Sequence, residues 1–418
     1  MPEALDVAVC ILGAGPVGAT LAASLAAAGV PCAVVDSQPL PPMELPEFDG
    51  RAYAIARAPQ RLLAAAGVWE RLPEPPCPIT RIHVADGRPG EPPSPLSLTF
   101  DTQELGSGEP FGWMVEARSL RVALNARLPL LANLRVFAPA SATIDRRPEG
   151  AAIRLSTGEV LHARLVVGAE GRQSPSRRQA GIATTTLDYH QIGMVGAFAH
   201  ANPHGNEALE QFLPNGPFAQ LPLNGPGGFG TASLPHASAF VWAERPHIAR
   251  RMLALPDAEF GRELRRRLGD RLGEVRPIGR RWSYPLSALQ VARWTDTRLA
   301  LAGDAAHGVH PIAGQGLNLG FRDVAALSEL VTEAWASGED PGSPALLARY
   351  QARRRPDTLM MLAGMHALER LFSNDIAPIR WARRLGIAAV DRLPPLKRAF
   401  ARQAMGLAGG PGRAMLRG

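Results

Sequence analysis

The sequence predicts an α/β chain, α+β overall, with a parallel-sheet half built from separated stretches, an inserted and mostly antiparallel sheet, and a helical C-terminus. Three observations carry this. Residues 7–35 read strand, Gly-rich turn, helix, strand; residues 187–243 turn to β-like segments broken by Gly and Pro; helical patterns fill most of the chain beyond residue 302. At 418 residues, and with roughly one domain per 150 residues as a prior, one compact domain is not expected.

In order, residues 7–12 are a short apolar run with β-branched members, 16–28 are rich in Ala and Leu, and 30–35 are apolar again after Gly29. From about 73 to 108 dense Pro and Gly surround short alternating pieces, which marks an excursion from the first unit. A helix follows at about 119–128, then short antiparallel strands, then the apolar strand 165–167. Beyond the β-rich middle, the strand 299–302 returns to the first unit. These changes divide the chain into a discontinuous first domain (1–75, 105–185 and 275–340), a sheet domain (76–104 and 186–274) and a helical C-terminal region (341–418).

Composition is that of an ordinary globular protein, 46% hydrophobic and 20% charged. The net charge of +7 rests on arginine, Lys397 being the only lysine, and does not by itself indicate a nucleic-acid partner. The N-terminus lacks the basic region and cleavage site of a secretion signal, and no apolar run is long enough to span a bilayer, so a cytoplasmic protein is expected. Cys10, Cys32 and Cys77 have no metal-ligand spacing, and no metal is expected; they read as buried apolar filler.

Gly13-Ala14-Gly15-Pro16-Val17-Gly18 fits G-x-G-x-x-G between a predicted strand and helix, the context a Rossmann-type dinucleotide site requires. Gly13 allows the tight turn, Gly15 lets a pyrophosphate approach the backbone, and Gly18 lets helix pack on strand. Pro16 opens the helix, whose unpaired amides face the phosphate charge. Asp36 ends the second strand, 23 residues after Gly13, where a carboxylate meets an adenosine ribose. This fingerprint alone does not separate NAD from FAD. Gly303 and Asp304, at the end of the strand 299–302, are placed to reach the ribityl or pyrophosphate oxygens of a long cofactor. Downstream, Pro311 and Gly314-Gln315-Gly316-Leu317-Asn318 join a Gly-rich backbone to a helix start, whose amides suit negative charge at the edge of a reduced isoalloxazine.

The G-D-A-A-H segment at 303–307 and P-x-x-G-Q-G-x-N at 311–318 together resemble the class A flavoprotein monooxygenases, and residues 310–323 resemble the ubiquinone-biosynthesis hydroxylases in particular. Residues 49–52, 115–120 and 284–286 match further landmarks, and the likeness covers about residues 6–365. It implies a fold of the 4-hydroxybenzoate hydroxylase kind, FAD as cofactor, and NAD(P)H as a transient reductant. It also implies a polyprenylated phenol and O₂ as substrates, with oxygen transferred from a flavin C4a-hydroperoxide. Arg51 and Arg118 are then expected to contact FAD. One departure stands out: Glu170-Gly171 replaces the usual Asp-Gly. No catalytic side chain is named.

The segment 370–418 carries ten basic residues against Asp375 and Asp391, among Ile, Leu, Trp and Phe. A basic amphipathic surface there suits the inner face of a membrane or partner enzymes of ubiquinone biosynthesis, and equally a solvated helix face packed on the domain. Three other functions stay open at this point: a hydroxylase of a small catabolic phenol, a non-catalytic FAD-binding subunit of a quinone-synthesis complex, and an NAD-dependent dehydrogenase.

Overall fold

The computed structural model describes residues 5–40, 49–91, 94, 96–104, 106, 108–224, 233–309, 314–372, 386, 389–407 and 415. The first strand, Leu5–Leu12, is buried over its last six residues, as a strand covered on both faces must be. It pairs in parallel with Cys32–Val35 on one side and with Val160–Gly168 on the other. Leu134–Phe137 and Leu299–Leu301 extend the parallel sheet at its two ends. Leu12 lies opposite both Val35 and Gly168, and Gly168 opposite Leu301. Four strands therefore end level with one another, and the residues that follow them, Gly13, Asp36, Ala169 and Ala302, open onto one crevice. That is where open α/β sheets bind ligands.

The second sheet has eight strands in the order His307–Gly308, Val275–Val291, Thr184–His200, His236–Glu244, Gly216–Leu223, Glu207–Leu213, Arg81–Asp86, Leu98–Asp101. All its neighbours are antiparallel except Glu207–Leu213 with Arg81–Asp86. Phe198, Phe218, Phe240 and Trp242 pack on the helices Pro246–Leu253 and Asp257–Leu268 through Ala249, Phe260 and Leu264. The other face carries small apolar side chains and turns toward the crevice.

The sequence-based boundary at residue 275 is corrected by this sheet. Val275–Val291 is a 17-residue strand paired along Thr184–His200, of equal length. Its polar stretch at 280–284 masks the β pattern, because alternation is legible only where one face is buried. The two long strands connect the halves, and His307–Gly308 joins the second sheet beside Leu289 and Gln290. A small sheet of Ala52–Ala56, Gly112–Glu116 and Cys77–Ile79 packs between them.

The helix Gln315–Ala336 crosses behind the parallel sheet, and Pro344–Phe372 lies against it. Among the described residues no helix is long and apolar enough to cross a membrane, and no group of side chains could hold a metal. The three cysteines are free and buried; burial pushes the Cys10 thiol up to about 12.

Candidate functional site

A cavity of about 1350 Å³ lies between the strand ends of the parallel sheet and the inner face of the second sheet. Drug-sized ligands usually occupy about 300–1,000 Å³, so this space suits a long cofactor together with a second molecule.

Its floor is the Gly-rich turn. Gly13 has φ +97°, and a Cβ there would sit 2.6 Å from the Ala169 carbonyl oxygen; one on Gly18 would sit 1.9 Å from that of Gly13. A Cβ on Gly15 would meet nothing within 4 Å, because that position faces the cavity. Gly15 also begins the helix Pro16–Ala27 without a side-chain cap, leaving the first-turn amides to whatever anion enters. Asp36 fixes the turn: its carboxylate accepts the Ala14 amide at 2.7 Å and the Gln38 amide at 2.8 Å. Four lone-pair sites leave it capacity for ribose hydroxyls.

Asp304 projects from the opposite strand end into the cavity. Enclosure by protein raises its carboxyl pKa, while His307 and Arg172 pull it back down. The turn that presents it is anchored from behind, where the Gly303 amide donates to Asp323 at 2.9 Å. Gly314, Gly316 and Leu317 line the cavity at the start of the helix Gln315–Ala336, whose N-cap, Gly314 at φ +61°, again has no side-chain cap. Uncapped helix starts at both ends, an open Gly15 and two carboxylates fit FAD.

The remaining wall comes from the second sheet. Ala219 lies opposite Val241, and Val241 opposite Val195, so one row of small apolar side chains faces the cavity. Tyr284 and Leu286 close the side between this wall and Arg172.

The chain matches the FAD binding domain family over residues 6–362. It is 49% identical to the ubiquinone hydroxylase UbiL of Rhodospirillum rubrum, over 95% of this chain and 89% of that one. Identity to the 3-demethoxyubiquinol 3-hydroxylase of Escherichia coli is 34%, over 96% and 98% of the two chains. The chain belongs to the FAD-dependent aromatic monooxygenases, in the branch of the ubiquinone hydroxylases. A mutant of PqsL from Pseudomonas aeruginosa shares the fold, with a TM-score of 0.74 at 25% identity, over 93% of this chain and all of that one.

Within this monooxygenase, Gly13, Gly15, Pro16, Asp36, Arg51, Asp304, Gly314, Gly316 and Leu317 line the cavity. Pro311 lies outside the described residues. Gly18, Gly303, Gln315 and Asn318 stand behind the wall. Asn318 uses its amide on the protein itself, accepting the Ala56 amide at 2.9 Å and donating to Ala54 at 2.8 Å and Gly314 at 3.1 Å. It staples the small sheet to the helix start and so acts on a cofactor only through that backbone. Arg118 is also away from the cavity lining, in ion pairs with Glu74 and Glu116. Arg51 pairs with Asp49 and stacks its guanidinium 4.5 Å over Trp282.

Glu170 is satisfied internally. Its carboxylate accepts from the hydroxyls of Ser174 and Ser176 and from the Ser176 amide, at the start of the short helix Pro175–Gln179. The extra methylene lets the carboxylate fold back onto this helix start.

The sequence reading missed a buried ionic chain beneath the Asp304 turn. Asp323, fully buried, accepts from His307 Nε2 at 2.6 Å and from Arg354 Nε at 2.8 Å; Arg354 continues to Asp357 at 2.6 Å, which Arg322 meets at 3.1 Å. Burial alone raises the Asp323 carboxyl, but His307 and Arg354 outweigh it and hold it below the ordinary range. Trp294 stacks on His307 with ring centroids 5.0 Å apart, and Tyr350 donates to the Leu301 carbonyl at 2.8 Å. No local pattern marks this chain, because Arg322 and Asp323 meet Asp357 and Arg354 on a second helix, 35 and 31 residues later.

Glu210 was missed too. It faces the cavity from Glu207–Leu213, and burial pushes its carboxyl from 4.5 up to about 8. Below 4.5 the folded and unfolded chains both carry this proton, and above about 8 both have lost it. Between these values the unfolded chain ionises first, so the contribution to stability is lost as pH rises. Glu210→Gln is therefore expected to raise the thermal midpoint by a few degrees near pH 8 and scarcely at all near pH 5; equal midpoints for both proteins near pH 8 would refute this.

Proposed function

We propose that this monooxygenase hydroxylates the aromatic ring of a prenylated phenol on the route to ubiquinone, using O₂ and, as reductant, NAD(P)H. The observation that carries the proposal is one cavity with two unlike walls: one polar and glycine-rich, suited to FAD, the other small and apolar, suited to a ring with a hydrocarbon tail. The names of its relatives, a ubiquinone hydroxylase and a 3-demethoxyubiquinol 3-hydroxylase, support the substrate class.

In this reading the turn at Gly13 to Gly18 and the amides behind Pro16 hold the diphosphate, and Asp36 holds the ribose. Asp304 orients the ribityl chain, and the backbone at Gly314 to Leu317 meets the ring edge of the flavin. Arg51, in the cavity lining, would meet the cofactor from beside Trp282. Bound FAD supplies electron transfer and oxygen insertion. The protein's residues orient the ring, exclude water and keep the reacting face apolar.

We place peripheral membrane contact on the helix Pro394–Ala404. Leu393, Leu396 and Phe400 are exposed there, 41–51%, near Arg392, Arg398 and Arg402, which supports a lipid surface as the source of the substrate. Transfer of labelled oxygen from O₂ into the ring of a prenylated phenol by the FAD-loaded protein tests the main reading.

A further inference from the structure

Among the described residues that line the cavity from the second sheet, Glu210 is the one carboxyl. Glu210 lies directly opposite Ala219, which continues to Val241 and Val195, and on its other side opposite Val84, so the carboxyl stands within a cross-strand row between side chains that offer it no polar atom. The neighbours two residues along on the same face, Pro217 and Leu221, are apolar as well. Each other cavity-lining carboxylate has a place in the flavin half: Asp36 on the Gly-rich turn, Glu170 on its serines, Asp304 at the opposite strand end. Among the described residues Glu210 makes no hydrogen bond or ion pair.

A carboxyl without a partner in apolar surroundings costs stability, of order 1–3 kcal/mol by mutational experience. Nothing in the packing of Glu207–Leu213 requires it, since Ala, Val or Leu would continue the row. Such a group suits a site where the partner arrives with a ligand. Of the groups carried by a prenylated phenol, only the ring hydroxyl both donates and accepts hydrogen bonds; the tail needs none.

We propose that Glu210 recognises the ring hydroxyl of the phenol and thereby sets which face and edge of the ring meet the flavin side of the cavity. This rests on the phenol-hydroxylase reading above. With its pKa at about 8, the side chain is mostly a neutral acid near pH 7, able to accept the phenolic O–H through one oxygen and to donate through the other. A neutral acid also avoids placing a fixed charge against the apolar row.

The test uses the FAD-loaded protein and equilibrium titrations read from the flavin absorbance, so that binding is measured without turnover. Two probe pairs are compared: phenol with anisole, and 2-prenylphenol with its methyl ether. In each pair only the hydroxyl changes. The wild type should prefer the phenol by at least about tenfold, the worth of one buried hydrogen bond. Glu210→Leu should reduce that preference to within about twofold, and Glu210→Gln, which still accepts and donates, should keep part of it; flavin content should be unchanged in both. An unaltered preference in Glu210→Leu, or no preference in the wild type, would overturn the proposal. If the leucine variant does not fold, the glutamine variant decides: a preference equal to the wild type and insensitive to the loss of the acid proton counts against Glu210. The substrate-class reading fails separately, through a prenyl group that adds no affinity while the phenol-to-anisole ratio still depends on Glu210.

Discussion

Gly15→Val should give a folded protein that does not retain flavin. Two glycines three residues apart separate binding from folding. A Cβ at Gly15 meets no protein atom within 4 Å, so the chain accommodates the valine; the space it enters is the phosphate's line of approach to the first-turn amides. At Gly18 a Cβ would lie 1.9 Å from the Gly13 carbonyl oxygen, so Gly18→Val should fail in folding rather than in binding. For Gly15→Val we expect a wild-type far-ultraviolet spectrum and cooperative unfolding, with FAD affinity lowered by at least about 100-fold, roughly 3 kcal/mol. Purification with a full complement of bound FAD would contradict the placement of the diphosphate.

Asp323→Ala should be the most destabilising single change near the site. It leaves the Arg354 guanidinium buried with only Asp357 as a counter-charge, removes the acceptor from His307 Nε2, and frees the Gly303 amide. Breaking a buried pair from one side typically costs about 3–5 kcal/mol, mostly from the charge left behind. The last two effects fall on the turn that carries Asp304, so denaturant unfolding should shift by that amount and FAD should bind more weakly. A shift under about 1 kcal/mol would mean that the ionic chain is solvated or rearranges, and that Asp304 is held by other contacts.

Much of the flavin half was legible because its signals are local. A strand, a tight turn and a helix start occupy consecutive residues, and Gly13, Gly15 and Gly18 need no knowledge of distant chain to be read. Asp304 was legible because a strand end places it. What the sequence left open depends on partners far away in the chain. Arg118 pairs with Glu74, 44 residues earlier, which no local pattern announces. Asn318 stood in the right segment, yet whether its amide faces a ligand or the strand Ala52–Ala56 is decided by a contact 262 residues away. Glu210 sits in EALEQFL, an unremarkable β-like stretch, and becomes distinctive only when Ala219 and Val241 are set beside it. The strand Val275–Val291 escaped for a related reason: its polar middle lies where the two halves meet, and the alternation that betrays a half-buried strand is lost there.

In the proposed reaction the cavity brings a prenylated phenol to an FAD held by the Gly13 and Asp304 walls, where one atom of O₂ enters its ring. The most direct measurement is a single turnover: load the protein with FAD, reduce it photochemically so that the choice of reductant is immaterial, and add isotope-labelled dioxygen with a panel of 2-prenylphenols. We predict a product carrying one labelled oxygen on the ring, formed by the wild type and absent with Gly15→Val. Flavin reoxidation with no label in any prenylated ring, while an unprenylated phenol is hydroxylated, would contradict the substrate assignment.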